Sequence, residues 1–312
     1  MYFLNFKISL YLLFSTTCIV SEELYGTLQD GSVKRFYKNG TVVSISKPIP
    51  SQFVGGAVGI FDTYWYYNAF TLSNPNMNFT LFGATLPLFN KTFAISLPFN
   101  RSTSTTSVVS IASTTSSEKV ILAGPKGNTT EIGILDIQTR IYKTITTSPS
   151  TLIAGAIGTI SSTPNNMMIL PMVEITSNDP VLFVLLDIPT NKSSIWKLCF
   201  QSLSLSFNTI SNKMIGIGTL PNNNTLVIVE YSLPNGECML LGQISQEYTL
   251  IYQQTSTFDS TTSTLWTILG KDETSPCELV QFSLSPVITI ISHHTLDAPQ
   301  STCFSLLNIY YP

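Results

Sequence analysis

Histidine is nearly missing from this chain of 312 residues: His293 and His294 are the only two. Successive residues of a strand point to opposite faces, so this adjacent pair cannot chelate one ion in the ordinary way. No third residue is placed to support either one, and there is no Gly-x-Ser-x-Gly elbow, so a Ser–His–Asp hydrolase finds no backing. Charge is scarce as well, with 15 Lys and Arg against 18 Asp and Glu, 11% of the chain in all. Such a balance provides neither the basic footprint of a nucleic-acid binder nor an acidic tail. No two carboxylates stand at a spacing that implies paired acid–base work. Long apolar runs are also lacking, since a membrane span needs about 20 such residues and no stretch reaches that. Beyond the first twenty residues no apolar pattern of period three and four predicts a helix. The glycines of Gly55-Gly56-Ala57, Ile153-Ala154-Gly155-Ala156 and Gly216-Ile217-Gly218 therefore open no predicted helix and are not phosphate loops. With Ser202-Leu203-Ser204, such small residues suit strands crowded around an axis.

What the chain does have is apolar content, 44% with 11% aromatic. That is enough for a large core, so the Ser/Thr tracts Ser102–Ser107 and Ser113–Ser117 read as polar loops open to O-glycosylation rather than as disorder. It also has a repeat. Leu135-Asp136-Ile137-Gln138-Thr139-Arg140-Ile141-Tyr142-Lys143 reads as strand, turn and strand. Kindred stretches are Leu186-Asp187-Ile188-Pro189, Tyr231-Ser232-Leu233-Pro234-Asn235-Gly236, Phe282-Ser283-Leu284-Ser285-Pro286, Leu86-Pro87-Leu88-Phe89-Asn90 and Phe36-Tyr37-Lys38-Asn39-Gly40. The last apolar residues before the turns are Tyr37, Leu88, Ile137, Ile188, Leu233 and Leu284, spaced 51, 49, 51, 45 and 51 residues apart. A period of that size with several β-like runs per copy is the mark of a propeller blade or a stacked array.

Glu23 to Ser46 holds three β-like runs separated by Asp30-Gly31 and Asn39-Gly40, the strongest short hairpin signals. Five further repeats supply four short runs each, over residues 53–98, 106–147, 150–200, 202–245 and 248–295. One run is left over, Thr302-Cys303-Phe304-Ser305-Leu306-Leu307. It matches the first run of the earlier repeats and completes the three at the start, so the sixth unit joins 23–46 with 301–311. The pattern resembles that of propeller repeat proteins across the mature chain, without a recurring Trp-Asp pair or kelch double glycine. The resemblance implies an all-β fold, a six-bladed β-propeller whose last blade is closed by the N-terminal strands plus the C-terminal strand. It would form one domain over residues 21–312 with no unpaired sheet edge at the closure. A row of β-sandwich domains is the competing architecture, and it would be cut by protease into folded fragments.

Residues 1–20 read as a secretory signal: Lys7, then the apolar run Ile8-Ser9-Leu10-Tyr11-Leu12-Leu13-Phe14, then Ser15-Thr16-Thr17-Cys18. Seven N-glycosylation sequons agree with export, at Asn39, Asn78, Asn90, Asn100, Asn128, Asn191 and Asn223, all expected between strands. Without Cys18 the cysteines are an even set, Cys199, Cys238, Cys277 and Cys303, as suits an oxidising compartment. Of their three connectivities, Cys199–Cys238 and Cys277–Cys303 join neighbouring repeats. A secreted, extracellular protein is expected. All the sequons precede Thr225, which leaves the sixth and closing blades as a sector free of N-linked glycan.

Candidate chemistry is weighed against simpler roles. Asp62, Asn208 and Asp259 recur just after the first strand of their repeats and could share a metal at a central channel. Asp and Asn in such places more often cap a turn. Asp136 and Asp187 recur before the turn and read as blade-edge residues. Phe61, Tyr64, Trp65, Tyr66, Tyr67 and Phe70 could stack on sugars, but alternation buries both sets between blades. The reading assigns no catalytic, metal or cofactor-binding residue. It favours a non-catalytic binding protein for an unknown extracellular protein or glycan, with a metal-dependent propeller hydrolase or lyase as the alternative.

Overall fold

The computed structural model describes residues 23–28, 32–45, 60–61, 64–70, 78–85, 92–100, 110–113, 119–127, 129–150, 152–154, 168–174, 176–177, 180–187, 191–208, 211–221, 223, 225–232, 235–259, 261–304 and 306–310. The expected signal segment lies outside them. Three strands come first, β1 (Glu23–Leu28), β2 (Val33–Tyr37) and β3 (Val42–Ser44). Next are β4 (Ile60–Phe61), β5 (Tyr64–Phe70), β6 (Asn78–Thr85) and β7 (Thr92–Asn100). Then come β8 (Ser110–Ser113), β9 (Lys119–Lys126), β10 (Thr129–Asp136) and β11 (Tyr142–Thr147). A fourth group is β12 (Leu152–Ala154), β13 (Met168–Glu174), β14 (Pro180–Asp187) and β15 (Lys192–Lys197). It is followed by β16 (Gln201–Asn208), β17 (Lys213–Thr219), β18 (Leu226–Ser232) and β19 (Cys238–Gln243). The last full group is β20 (Leu250–Asp259), β21 (Thr264–Gly270), β22 (Glu278–Ser283) and β23 (Thr289–Thr295). A short helix, α1 (Gln300–Phe304), and β24 (Leu306–Tyr310) end the described chain.

These strands form an all-β fold of small antiparallel sheets, six of four strands each among the described residues. Five sheets take their strands in chain order, and the sixth has the order β24-β1-β2-β3. In it Tyr25 faces Tyr310 and Gly26 faces Ile309. Among the described residues, the repeat turns that follow Tyr37, Ile137 and Leu284 lie between the third and fourth strands of their sheets. Local chemistry makes those turns: in the β2–β3 turn Gly40 takes φ +89°, and in the β18–β19 turn Gly236 takes φ +73°. Both are left-handed values that glycine adopts without steric cost.

Among the described residues, second and third strands such as β9, β17, β18 and β21 are buried along nearly their whole length, while fourth strands such as β19 and β23 are largely exposed. The middle strands have hydrogen-bonded neighbours on both sides and a packed sheet on each face, so near-continuous apolar runs such as Leu226-Val227-Ile228-Val229 are what they need. The core is a series of clusters between successive sheets. Phe79, Leu81 and Phe99 meet Val120 and Leu122, and Ile121 and Ile132 meet Met172 and Phe183. Leu182 and Val184 meet Met214 and Val229, and Ile215 and Ile228 meet Leu265 and Val280. Trp266 and Leu279 meet Leu24 and Phe36 of the sheet that holds both chain-end strands.

First strands also touch. The backbone N–H of Ser256 donates to Ser204 Oγ at 2.8 Å and that of Phe258 to Ser206 Oγ at 3.0 Å, so β16 hydroxyls satisfy donors along β20. β24 in turn lies against β20.

Two expectations need correction. The run Thr302–Leu307 is not one strand: a single helical turn, α1, precedes β24. Pro299 fixes a φ suited to a helix start, and its carbonyl accepts from Thr302 N–H at 2.8 Å. One turn is too short to leave a periodic pattern. Two sequon residues are also not between strands, because Asn78 begins β6, Asn100 ends β7 and the two face each other. The end of β7 is drawn into the sheet by Phe99, which is buried against Gly124 and Tyr142. No helix among the described residues is long and apolar enough to cross a membrane.

Candidate functional site

Asn208 and Asp259 end the first strands of their sheets and cap the turns that follow. Asn208 Oδ1 accepts from Ser211 N–H at 3.2 Å. Asp259 Oδ1 accepts from Thr261 N–H at 2.9 Å and Thr261 Oγ1 at 2.6 Å, and Oδ2 accepts from Thr262 Oγ1 at 2.6 Å. Burial alone would raise the Asp259 carboxyl, but these hydrogen bonds outweigh it and hold the group below the ordinary range. A carboxylate so engaged has its lone pairs committed to its own loop. Asp136 does the same at the repeat turn, where Thr139 N–H donates to Oδ1 at 2.8 Å and lowers its pKa. Asp62 lies outside the described residues, as do the side chains of Asp187 and of the aromatic set in β4 and β5.

His293 and His294 sit on β23, and the structure gives His293 a partner that the sequence reading lacked. Its Nδ1 is 3.3 Å from Glu278 Oε2 at the start of β22. Tyr248 Oη donates to that same oxygen at 2.6 Å. Lys271 Nζ is 3.2 Å from Glu278 Oε1 and 3.3 Å from Glu247 Oε2. Burial pushes the Glu278 carboxyl up, yet the bonds from Tyr248, Lys271 and His293 overcome it and hold the carboxyl below its ordinary value. Burial raises the Tyr248 hydroxyl, and the bond to Glu278 raises it further. The cluster joins the β19–β20 connection, the segment after β21 and the outer strand β23.

A sequence signal for Glu278 existed in the repeat itself. It stands six residues before Leu284, just as Glu131 stands six before Ile137. Glu131 is also buried, is paired with Lys126, and its charge together with burial raises the nearby Tyr142 hydroxyl. Both are acids on a third strand met by a lysine from the end of the second. Among the described residues no group of three or more His, Cys, Asp or Glu side chains is arranged to hold a metal ion.

The cysteines form Cys199–Cys238 and Cys277–Cys303. The first runs from the segment between β15 and β16 to the start of β19, and the second from the residue before β22 to α1. Three sequon residues are seen in turns or connections. Asn39 Oδ1 accepts from Thr41 N–H at 3.0 Å, Asn223 Oδ1 accepts from Thr225 N–H at 3.1 Å, and Asn191 has φ +57°. Asn90 and Asn128 lie outside the described residues.

No protein-family model matches the chain, and the search of curated proteins gives no match either. Solved structures do match in fold. The structure of a nidogen/laminin complex aligns with a TM-score of 0.60 at 12% identity, covering 92% of this chain and 97% of that one. TolB from Acinetobacter baumannii aligns with a TM-score of 0.56 at 12% identity over 86% of this chain, which spans 63% of TolB. SapL1 lectin, solved in complex with alpha methyl fucoside, aligns with a TM-score of 0.55 at 10% identity over 89% of this chain and 93% of that one. All three are β-propeller proteins, and at these identities the likeness is one of fold.

Proposed function

We propose that the chain is a secreted, N-glycosylated, six-bladed β-propeller over residues 21–312, exported by a signal over residues 1–20, and that it acts as a non-catalytic binding protein toward an extracellular protein or glycan. The architecture is supported by the four-stranded sheets, the apolar clusters between successive ones and the pairing of β24 with β1. Two disulfides fit an oxidising compartment outside the cytosol.

The observation that carries the binding reading is the employment of the polar side chains. Asp136, Asn208 and Asp259 cap turns, and Glu278 is filled by three donors that tie loops to β23. Catalysis needs a group free to take a proton, a metal or a substrate atom, and these are engaged in holding the scaffold. Fold alone does not decide between binder and enzyme. The secreted, glycosylated protein is therefore to be tested against immobilised glycans and extracellular proteins, alongside a metal analysis and a melt with chelator. Saturable capture with no stoichiometric metal is expected. A bound ion lost in Asp259→Ala, with a melting point that falls on chelation, would replace this reading by the hydrolase or lyase one.

A further inference from the structure

The first strands of three successive sheets break register with their neighbours. In β16, Ser202 and Leu203 stand opposite Gly218 alone. In β20, the four residues Tyr252-Gln253-Gln254-Thr255 stand opposite Ile268 alone, a surplus of three. In β24, Leu307 has no counterpart between Leu28 and Thr27. The first strands β4, β8 and β12 pair with their neighbours in unbroken register. Breaks between third and fourth strands recur from sheet to sheet and go with the twist of a sheet. The breaks in first strands are confined, among the described pairings, to this group of three. Surplus residues leave the ladder, a device that re-aims side chains beside functional sites.

These three strands are neighbours. The serine hydroxyls of β16 fasten it to β20 from Ser204 and Ser256 onward, and β24 also lies against β20. The breaks in β16 and β20 come immediately before the fastened residues, so residues 202–203 and 252–255 stand side by side. Residues 270–278 hold the approach to two of the strands. Thr249 N–H donates to the Gly270 carbonyl at 3.0 Å and Thr249 Oγ1 to that of Lys271 at 2.6 Å, next to the Tyr248–Glu278 bond, which sets the entry to β20. Gln300 Nε2 donates to the Asp272 carbonyl at 3.2 Å and Cys303 is bonded to Cys277, which sets the entry to β24. Strands braced in this way are ordered before a ligand arrives, so binding does not have to order them.

Charge is missing from the group. β16 and β24 contain no charged residue, and β20 has only Asp259, which caps its turn. Amides are frequent instead: Gln201, Gln253, Gln254 and Asn308. An amide both donates and accepts hydrogen bonds, as each hydroxyl of a sugar does, and Tyr252 adds an amphipathic ring. An anionic ligand would call for Arg or Lys, and a hard metal ion for carboxylates. We infer that β16, β20 and β24 together form a binding site for a neutral glycan, centred on Tyr252, Gln253 and Gln254. The inference rests on the binding-protein reading and selects the glycan from its two classes of partner.

Arrayed neutral and sialylated oligosaccharides, applied to the secreted protein, test it, together with hydrogen exchange with and without a captured sugar. Capture of neutral sugars is expected, unchanged by chelator or raised salt, with exchange slowed in residues 201–203 and 250–255. Combining Gln253→Ala with Gln254→Ala should weaken capture at least about 10-fold at an unchanged melting point. The exchange measurement uses wild type alone, so a double variant that fails to fold leaves the test standing. Capture of an extracellular protein, or of sialylated sugars only, overturns this inference and leaves the binding reading intact. A captured neutral sugar that leaves exchange in 250–255 unchanged overturns the location. Capture of neither class removes both readings.

Discussion

Removing the Cys277–Cys303 bond asks how much the last strand depends on its tether. Both cysteines are buried, at 0% and 1% exposure, so replacing both with alanine leaves no exposed thiol and little change in packing. The bond closes a loop of sequence separation 26. On the chain-entropy account a loop of that length is worth about 3.5 kcal/mol. A chain of this size unfolds with an entropy of roughly 0.6 kcal/mol/K, so the double variant should melt about 6 °C below wild type. Two measurements check this: a denaturant or thermal melt for the magnitude, and hydrogen exchange for the place. The bond anchors α1, and α1 leads into β24, so protection should fall first in β24 and β1 and later in β9 and β10. A loss under about 1 kcal/mol, or exchange that rises equally in all sheets, would refute the idea that the bond secures the terminal strand.

Two other perturbations bear on the turn and cluster chemistry. Glu278 is held below its ordinary pKa in the folded chain. Its stabilisation is therefore present above about pH 4.3, the unfolded value, and is lost as pH falls through the lower folded one. Wild-type stability should decline below about pH 4.3, while Glu278→Gln starts about 1.5–3 kcal/mol weaker at pH 7 and is flatter across the acid range, as melts in a pH series would show. Gly236→Ala imposes both a left-handed φ and a Cβ 2.5 Å from the Trp196 ring. It should cost more than about 1 kcal/mol in a denaturant melt, and more than Gly127→Ala, which shares the positive φ but meets nothing within 4 Å.

The parts of the fold legible in the sequence are those made by neighbours along the chain. Asn39-Gly40 and Asn235-Gly236 announce turns because positive φ is a local demand, and alternating or continuous apolar runs announce strands because burial repeats with the backbone. Asp259 was readable as a cap for the same reason, its donors being two and three residues away. The Glu278 cluster was not. Its partners are 30, 7 and 15 residues distant, brought together only when β23 and the β19–β20 connection are in place. The serine bridges from β16 to β20 span 52 residues, about one repeat, and a small hydroxyl leaves no signature of the backbone N–H it will meet. Helix α1 was hidden because one turn carries no period.

The pairing of β1 with β24 also sets a schedule. β1, β2 and β3 leave the ribosome well before β24, the strand that completes their sheet. At roughly 5–20 residues per second, β1 waits on the order of 15–60 s for its neighbour. Throughout that time its backbone donors and the apolar side of Leu24 and Leu28 lack their final cover. The other sheets are complete as soon as their own four strands have emerged. The N-terminal strands are thus the place where a folding helper has longest to act, and where a stalled or truncated chain would first find the wrong partner.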